Sequence, residues 1–299
     1  MDLAGEFYFI AELGINGALS GLMYALVALG AVLIYKSSAV VNFAQGALVM
    51  TGAFATWWVV DTLHLPIWVA MFLSMAMVFG VGMGIERVAL RRMIGQPLIM
   101  IIMITIGLDV LLRGLVPILC GVGPYALETG ISDAPIVLGD ILINRVYLVG
   151  GSIALFLVLF FLYFFQTRYG IVQRAVSDDY TASWAVGISV ERAVGFSWGI
   201  SGAVAVVAGT LWGSIQGVDW SISLTLLKAL AVAILGGLDS VGGVILAGIL
   251  VGTLENVISA YVDPIVGGGT RDLVAAIIIF LTIIIRPYGL FGREIIERV

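Results

Sequence analysis

The chain has 299 residues, 61% of them hydrophobic, with a mean hydropathy of +1.15, a formal charge of −5 and a pI near 4.8. Soluble domains are about 45–50% apolar, so a water-soluble globule is excluded, and the acidic balance argues against nucleic acid as a partner. One cysteine (Cys120) and one histidine (His64) exclude an internal disulfide and a Cys/His metal cluster, and neither a metal nor another cofactor is expected.

The first residues include Asp2, Glu6 and Glu12 but no base. They lack the n-region of a cleaved signal and are expected to remain on the protein, on the outer side. Nine stretches then follow that are long or apolar enough to enter a bilayer: Gly14–Tyr35, Gln45–Val60, Pro66–Ile85, Pro97–Cys120, Val146–Phe165, Ala193–Ile215, Leu224–Leu235, Val241–Ala260 and Leu273–Ile285. A spanning helix needs about 20 apolar residues, fewer where it is broken or shielded by neighbours. With the N-terminus outside and alternate crossings, Lys36, Arg87, Arg91, Arg92, Arg168, Arg174, Arg192, Arg286, Arg293 and Arg298 face the cytoplasm. Only Arg145 and Arg271 fall in outer loops, while Arg113 and Lys228 lie within segments. This is the positive-inside pattern. The chain reads as an all-α polytopic inner-membrane protein with about nine membrane-entering helices (eight to ten), its C-terminus cytoplasmic, and one integral domain over residues 1–299.

Most connections are short. His64 sits in one of them, Asp61–Pro66, with no second imidazole or thiol beside it, which makes a metal site improbable. The outer stretch Gly121–Arg145 contains Gly121, Gly123, Pro124, Gly130, Pro135 and Gly139 with Glu128, Asp133 and Asp140, and predicts an ordered cap of turns. The inner stretch Gln166–Arg192 is too polar to span. Within it, Ser177, Asp178 and Asp179 read as a helix N-terminus, because a side-chain oxygen and negative charge satisfy the open N–H groups there. Gly187 reads as the stop. The short helix so defined has Tyr180, Trp184, Ala185 and Ile188 as its apolar face. It is either a surface connector or a docking element for a cytoplasmic partner.

Glycine is concentrated inside the apolar stretches, including the GxxxG run Gly248–Gly252, which predicts close helix packing where lipid supplies no hydrophobic drive. Leu235–Gly243 places a polar, glycine-rich turn between two apolar runs, either a tight hairpin or a broken helix of the kind that lines transport pathways. Asp109 and Arg113 are four apart in the fourth stretch, so they share a helix face and are expected to pair as an intramembrane ion pair. Lys228 opens the seventh stretch and is expected to snorkel outward. No nucleophile–base constellation or phosphate-binding loop is present, so no catalytic residues are assigned and the chain is expected to be no enzyme.

Further motifs are Asn16–Gly30 followed by Val41-Asn42-Phe43-Ala44-Gln45-Gly46, the inner stretch Arg174–Asp179 to Gly187-Ile188, Leu235–Gly243 with Leu254-Glu255, and Arg286–Gly292. Together they resemble the branched-chain amino acid permease family of bacterial ABC importers, and specifically the first of the two permease subunits such systems carry. The resemblance covers nearly the whole chain in order. It implies a membrane pathway built with a second permease subunit, a paralogue rather than a second copy. It also implies two cytoplasmic ATP-binding subunits, a periplasmic solute-binding protein, and a place among the lipids of the bacterial inner membrane. The cargo implied is a branched-chain amino acid or a related small polar solute. In such permeases a Glu-Ala-Ala-x3-Gly loop forms a helix that docks on the ATPase. Thr181–Gly187 fits its small-residue and glycine spacing but lacks the leading Glu. The resemblance therefore implies an ATPase-coupling role for Ser177, Asp178, Asp179, Tyr180, Ala182, Ser183, Trp184 and Gly187.

Asn16, Asn42 and Gln45 are uncharged hydrogen-bonding groups at or near apolar stretches. Amides are cheaper to bury than charges and can line a route without trapping a polar solute. They are candidates for the translocation pathway, or else they cap helix ends and bond to neighbouring helices, Asn42 being well placed to cap the second stretch. The alternative reading of the whole chain is a self-contained secondary transporter or channel, which would want paired carboxylates at mid-membrane.

Overall fold

The computed structural model describes residues 3–93, 95–132 and 134–292. Asp2, Asp133, Arg293 and Arg298, placed above in the termini and the outer loop, lie outside the described residues. All nine apolar stretches are helical: α1 (Leu3–Ser38), α2 (Gln45–Leu63), α3 (Ile67–Ile85), α4 (Leu98–Cys120), α5 (Arg145–Phe164), α8 (Val190–Gln216), α9 (Thr225–Gly236), α10 (Val241–Val266) and α11 (Thr270–Ile285). Two further helices, α6 (Arg168–Asp178) and α7 (Tyr180–Ala185), lie between α5 and α8. Among the described residues, seven helices are long and apolar enough to cross a membrane, whereas α9 and α11 have only 12 and 16 residues. The protein is an all-α, multi-pass membrane protein.

Helix ends follow local chemistry. α2 stops at His64, whose left-handed backbone (φ 51°) lets its N–H close on Val60 O at 2.9 Å, and Pro66 then opens α3. The lone histidine is thus a helix cap. α3 runs on into a π turn, Glu86–Leu90, and a short 3-10 turn, Arg91–Met93. The expected cap of turns after α4 contains a small hairpin, β1 (Ile136–Leu138) and β2 (Ile141–Ile143), joined through Gly139 (φ 64°) and Asp140. The glycine-rich turn after α9 is a hairpin between a half-length helix and α10, whose Ser240 Oγ accepts the Gly243 N–H at 3.1 Å.

The chain divides into two compact units. One comprises Met1–Ala28, Ile131–Leu159 and Leu227–Val299. There the predicted GxxxG face of α10 meets a second one on α1: a Cβ on Gly21 would strike the Gly248 carbonyl, and one on Gly17 would lie 2.7 Å from Gly252 O. Removing four side chains is what lets these two backbones approach. The other unit comprises Leu29–Gly130 and Phe160–Leu226. Its core is α8 packed on α2 and α3, with Phe54, Met50, Trp198 and Leu211 buried. Thr56 Oγ1 and Thr210 Oγ1 bond across α2 and α8 at 3.0 Å. On α4, Leu98, Ile99, Met103, Val110 and Ile118 are exposed, an apolar rim that suits lipid rather than water.

Candidate functional site

The inner connector forms two helices where one was expected. Ser177 and Asp178 close α6, and Asp179 alone caps α7, its Oδ1 accepting the N–H groups of Thr181 at 2.8 Å and Ala182 at 3.0 Å. The expected start at Ser177 is therefore two residues early. Asp179 has the extended backbone (φ −157°) that an N-cap needs, while its two predecessors continue the helix before it. The stop is at Gly187 (φ 83°), whose N–H bonds Trp184 O while that of Ile188 bonds Ser183 O, each at 3.0 Å. That is a Schellman closure, for which glycine is the favoured residue.

α7 is six residues long and tied at both ends. The Tyr180 hydroxyl donates to Ser38 O at 2.8 Å, and Ser183 Oγ donates to Ala175 O at 3.0 Å. Ser177 Oγ reaches Tyr35 O at 3.5 Å. Burial pushes the Tyr180 phenol above its usual pKa. The apolar face divides accordingly. Tyr180 turns inward, whereas Trp184 is 46% exposed, and Ala182, Ala185 and Val186 are exposed beside it. An exposed tryptophan on a helix this well anchored is a candidate contact surface.

Behind Tyr180, a small apolar cavity is lined by Ile34, Asn42, Leu90, Thr105, Tyr180 and Trp198. Asn42 is buried and holds the turn before α2, whose N-cap is Ala44 without a side-chain cap: its Oδ1 accepts the Ala44 N–H at 3.0 Å and its Nδ2 donates to Gln45 Oε1 at 3.3 Å. Gln45, also buried, accepts from Ser201 Oγ at 2.8 Å, and the same hydroxyl lies 2.9 Å from Gly30 O. Gln45 Nε2 rests against the bare Cα of Gly30 and has no hydrogen-bond partner among the described residues. Asn16 belongs to the other unit, where it donates to Leu142 O at 2.8 Å and accepts from Asn144 N at 3.0 Å, holding α1 to the end of the β-hairpin. Asp109 and Arg113 face each other on α4 with Oδ2 and Nε 3.0 Å apart.

Two charged pairs were not foreseen. Glu86, buried at the π turn, meets Arg91 at 3.3 Å, five residues on. Partners in an α-helix are three or four apart, and the π turn supplies the extra residue. Lys228 does not snorkel. It turns inward to Glu255 at 2.7 Å. Neither pair has a local signature, although the charges themselves, set in apolar runs, were a visible signal.

A family model described as "Branched-chain amino acid transport system / permease component" matches residues 14–285. The chain belongs to this family. The permease is 26% identical to the high-affinity branched-chain amino acid transport system permease protein LivH of Salmonella typhimurium, over 99% of this chain and 100% of the relative. It is 28% identical to the corresponding protein BraD of Pseudomonas aeruginosa, over 98% and 99% of the two chains. A probable branched-chain amino acid transport permease protein LivH of Methanocaldococcus jannaschii is 29% identical over 91% of this chain and 89% of its own.

Proposed function

We propose that this permease is one of the two membrane subunits of an ATP-driven importer in the bacterial inner membrane, carrying branched-chain amino acids or a related small polar solute. It pairs with a paralogous permease, receives solute from a periplasmic binding protein, and is driven by two cytoplasmic ATP-binding subunits, which alone hydrolyse ATP. Residues 1–299 act as one transmembrane domain, with the N-terminus outside and the C-terminus inside. The observation that carries the coupling part of this reading is α7, a capped helix that holds Trp184 exposed while Tyr180 is bonded to the backbone at the end of α1.

The mechanics follow from that bonding. A force applied to α7 passes through Tyr180 to Ser38 and through Ser177 to Tyr35, so it acts on the end of α1 that leads to Asn42. Closure of an ATPase dimer against α7 then biases the permease between inward- and outward-facing states. Of the three amides, Asn16 and Asn42 are both engaged in holding turns. Gln45 keeps an unpartnered Nε2 and is the best placed to meet solute. Solute choice rests mainly on the binding protein, with the permease as a weakly binding route.

Trp184→Asp puts a charge where an apolar contact is expected, on a helix whose caps it leaves intact. Uptake should be lost while membrane insertion is kept. Normal uptake together with normal co-purification of the ATP-binding subunits in this variant would remove α7 from the coupling role.

A further inference from the structure

Four helices of one unit bring opposite charges into a line. Lys228 on α9 holds its Nζ 2.7 Å from Glu255 Oε1 on α10 and 3.5 Å from Asp272 Oδ1 on α11. Tyr24 on α1 closes the inner end, its hydroxyl 3.1 Å from Glu255 Oε1 and 3.3 Å from Lys228 Nζ. Beside Asp272, Arg271 reaches Ser259 Oγ at 3.4 Å and Asn256 Oδ1 at 3.5 Å. Exposure falls along the line, from 75% for the Asp272 side chain to 16% for Lys228 and 4% for Glu255. From the surface inward the signs alternate: Asp272, Lys228, Glu255.

Three features set this line apart from a pair that only fastens helices. Glu255 Oε2 is buried and accepts no hydrogen bond among the described residues, so half of the carboxylate is left for a further donor. Lys228 is within reach of two carboxylates, one buried and one exposed, and can pass between them. The contact between α1 and α10 is already made by Gly17, Gly21, Gly248 and Gly252, so it does not depend on the charges. Glu255 lies in α10, a helix long enough to cross the membrane, where an ionisable group is expensive and marks a solute route.

We propose that Lys228, Glu255 and Asp272 are the contact for the charged head of a zwitterionic amino acid as it passes through the permease, an inference that rests on the import reading above. The head of a free amino acid carries one ammonium and one carboxylate. Its ammonium donates to Glu255 Oε2 and to Asp272, and its carboxylate takes the Lys228 ammonium. Protein–protein pairs are exchanged for protein–solute pairs of the same kind, and no net charge enters the spans. Because the exchange is nearly even, the solute is held briefly and released.

The test is leucine uptake into proteoliposomes carrying the complete complex and its binding protein, comparing wild type with K228M/E255M and with D272N. The double variant removes both charges and keeps volume, a change that a merely structural ion pair tolerates. It should co-purify with its partner subunits and lose about tenfold or more of leucine uptake, as when a charge-assisted contact is removed. Uptake close to wild type in that variant overturns the proposal. If the double variant does not co-purify, D272N decides, since it changes one exposed carboxylate and keeps its shape. Uptake should be several-fold slower, and a wild-type rate overturns the proposal. Wild-type import with unaffected variants overturns the solute contact alone, whereas a wild-type complex that imports no branched-chain amino acid overturns the import reading and the solute contact with it.

Discussion

Gly30 shows how a single missing side chain shapes a buried polar site. The Gln45 amide lies against its Cα, and a Cβ there would collide with Nε2. Gly30→Ala therefore sets two effects against each other. Helix propensity favours alanine by about 1 kcal/mol, while overpacking a closed site costs about 1–3 kcal/mol. The amide is held by Ser201 and Asn42 and cannot simply swing away, so the clash should win. The purified variant should melt at a lower temperature than the wild type. An equal or higher melting temperature would mean that the Gln45 side chain is freer than its bonds indicate. At this scale a local hydrogen-bonding job for Asn42 was legible, though it holds the turn before α2 rather than capping the helix, whose N-cap is Ala44. The Lys228–Glu255 pair was not. Its partners are 27 residues apart, and their meeting depends on how α9 approaches α10, which no local pattern encodes.

Among the elements, the helices were readable from apolar runs, while their polar connectors were only partly so. The reading of Ser177 as a helix start failed because a run of three capping residues contains only one that leaves the helical backbone, and that choice, Asp179, is made by α6 before it. The strands β1 and β2 have three residues each, too few for an alternating pattern to stand out beside their Gly–Asp turn. The placing of these connectors predicts a topology that can be checked. In a C120S background, cysteines at Ser132 and Asn144, both exposed, should react with an impermeant thiol reagent from the periplasm. One at Asp178, exposed at the end of α6, should not react until the membrane is opened. The opposite labelling would reverse the orientation of every helix.

Across the whole molecule, the most legible property was membrane residence, since 61% hydrophobic residues and one-sided bases leave few alternatives. The compact units were not legible, because each draws on separated parts of the chain. Their interiors combine close glycine contacts, as at Gly21 and Gly248, with buried bulky side chains such as Phe54 and Trp198. An ion-driven transporter and an ATP-driven permease share that architecture and differ in what moves them. Paired carboxylates would favour the first, yet among the described residues the buried carboxylates, Glu86 and Glu255, are matched by Arg91 and Lys228. The measurement that separates the two is leucine accumulation in proteoliposomes holding this permease, its paralogue, the ATP-binding subunits and the binding protein. Accumulation should require internal ATP and the binding protein, persist when ion gradients are collapsed, and vanish when this permease is left out. Leucine uptake by this permease alone, driven by an ion gradient and indifferent to ATP, would contradict the account.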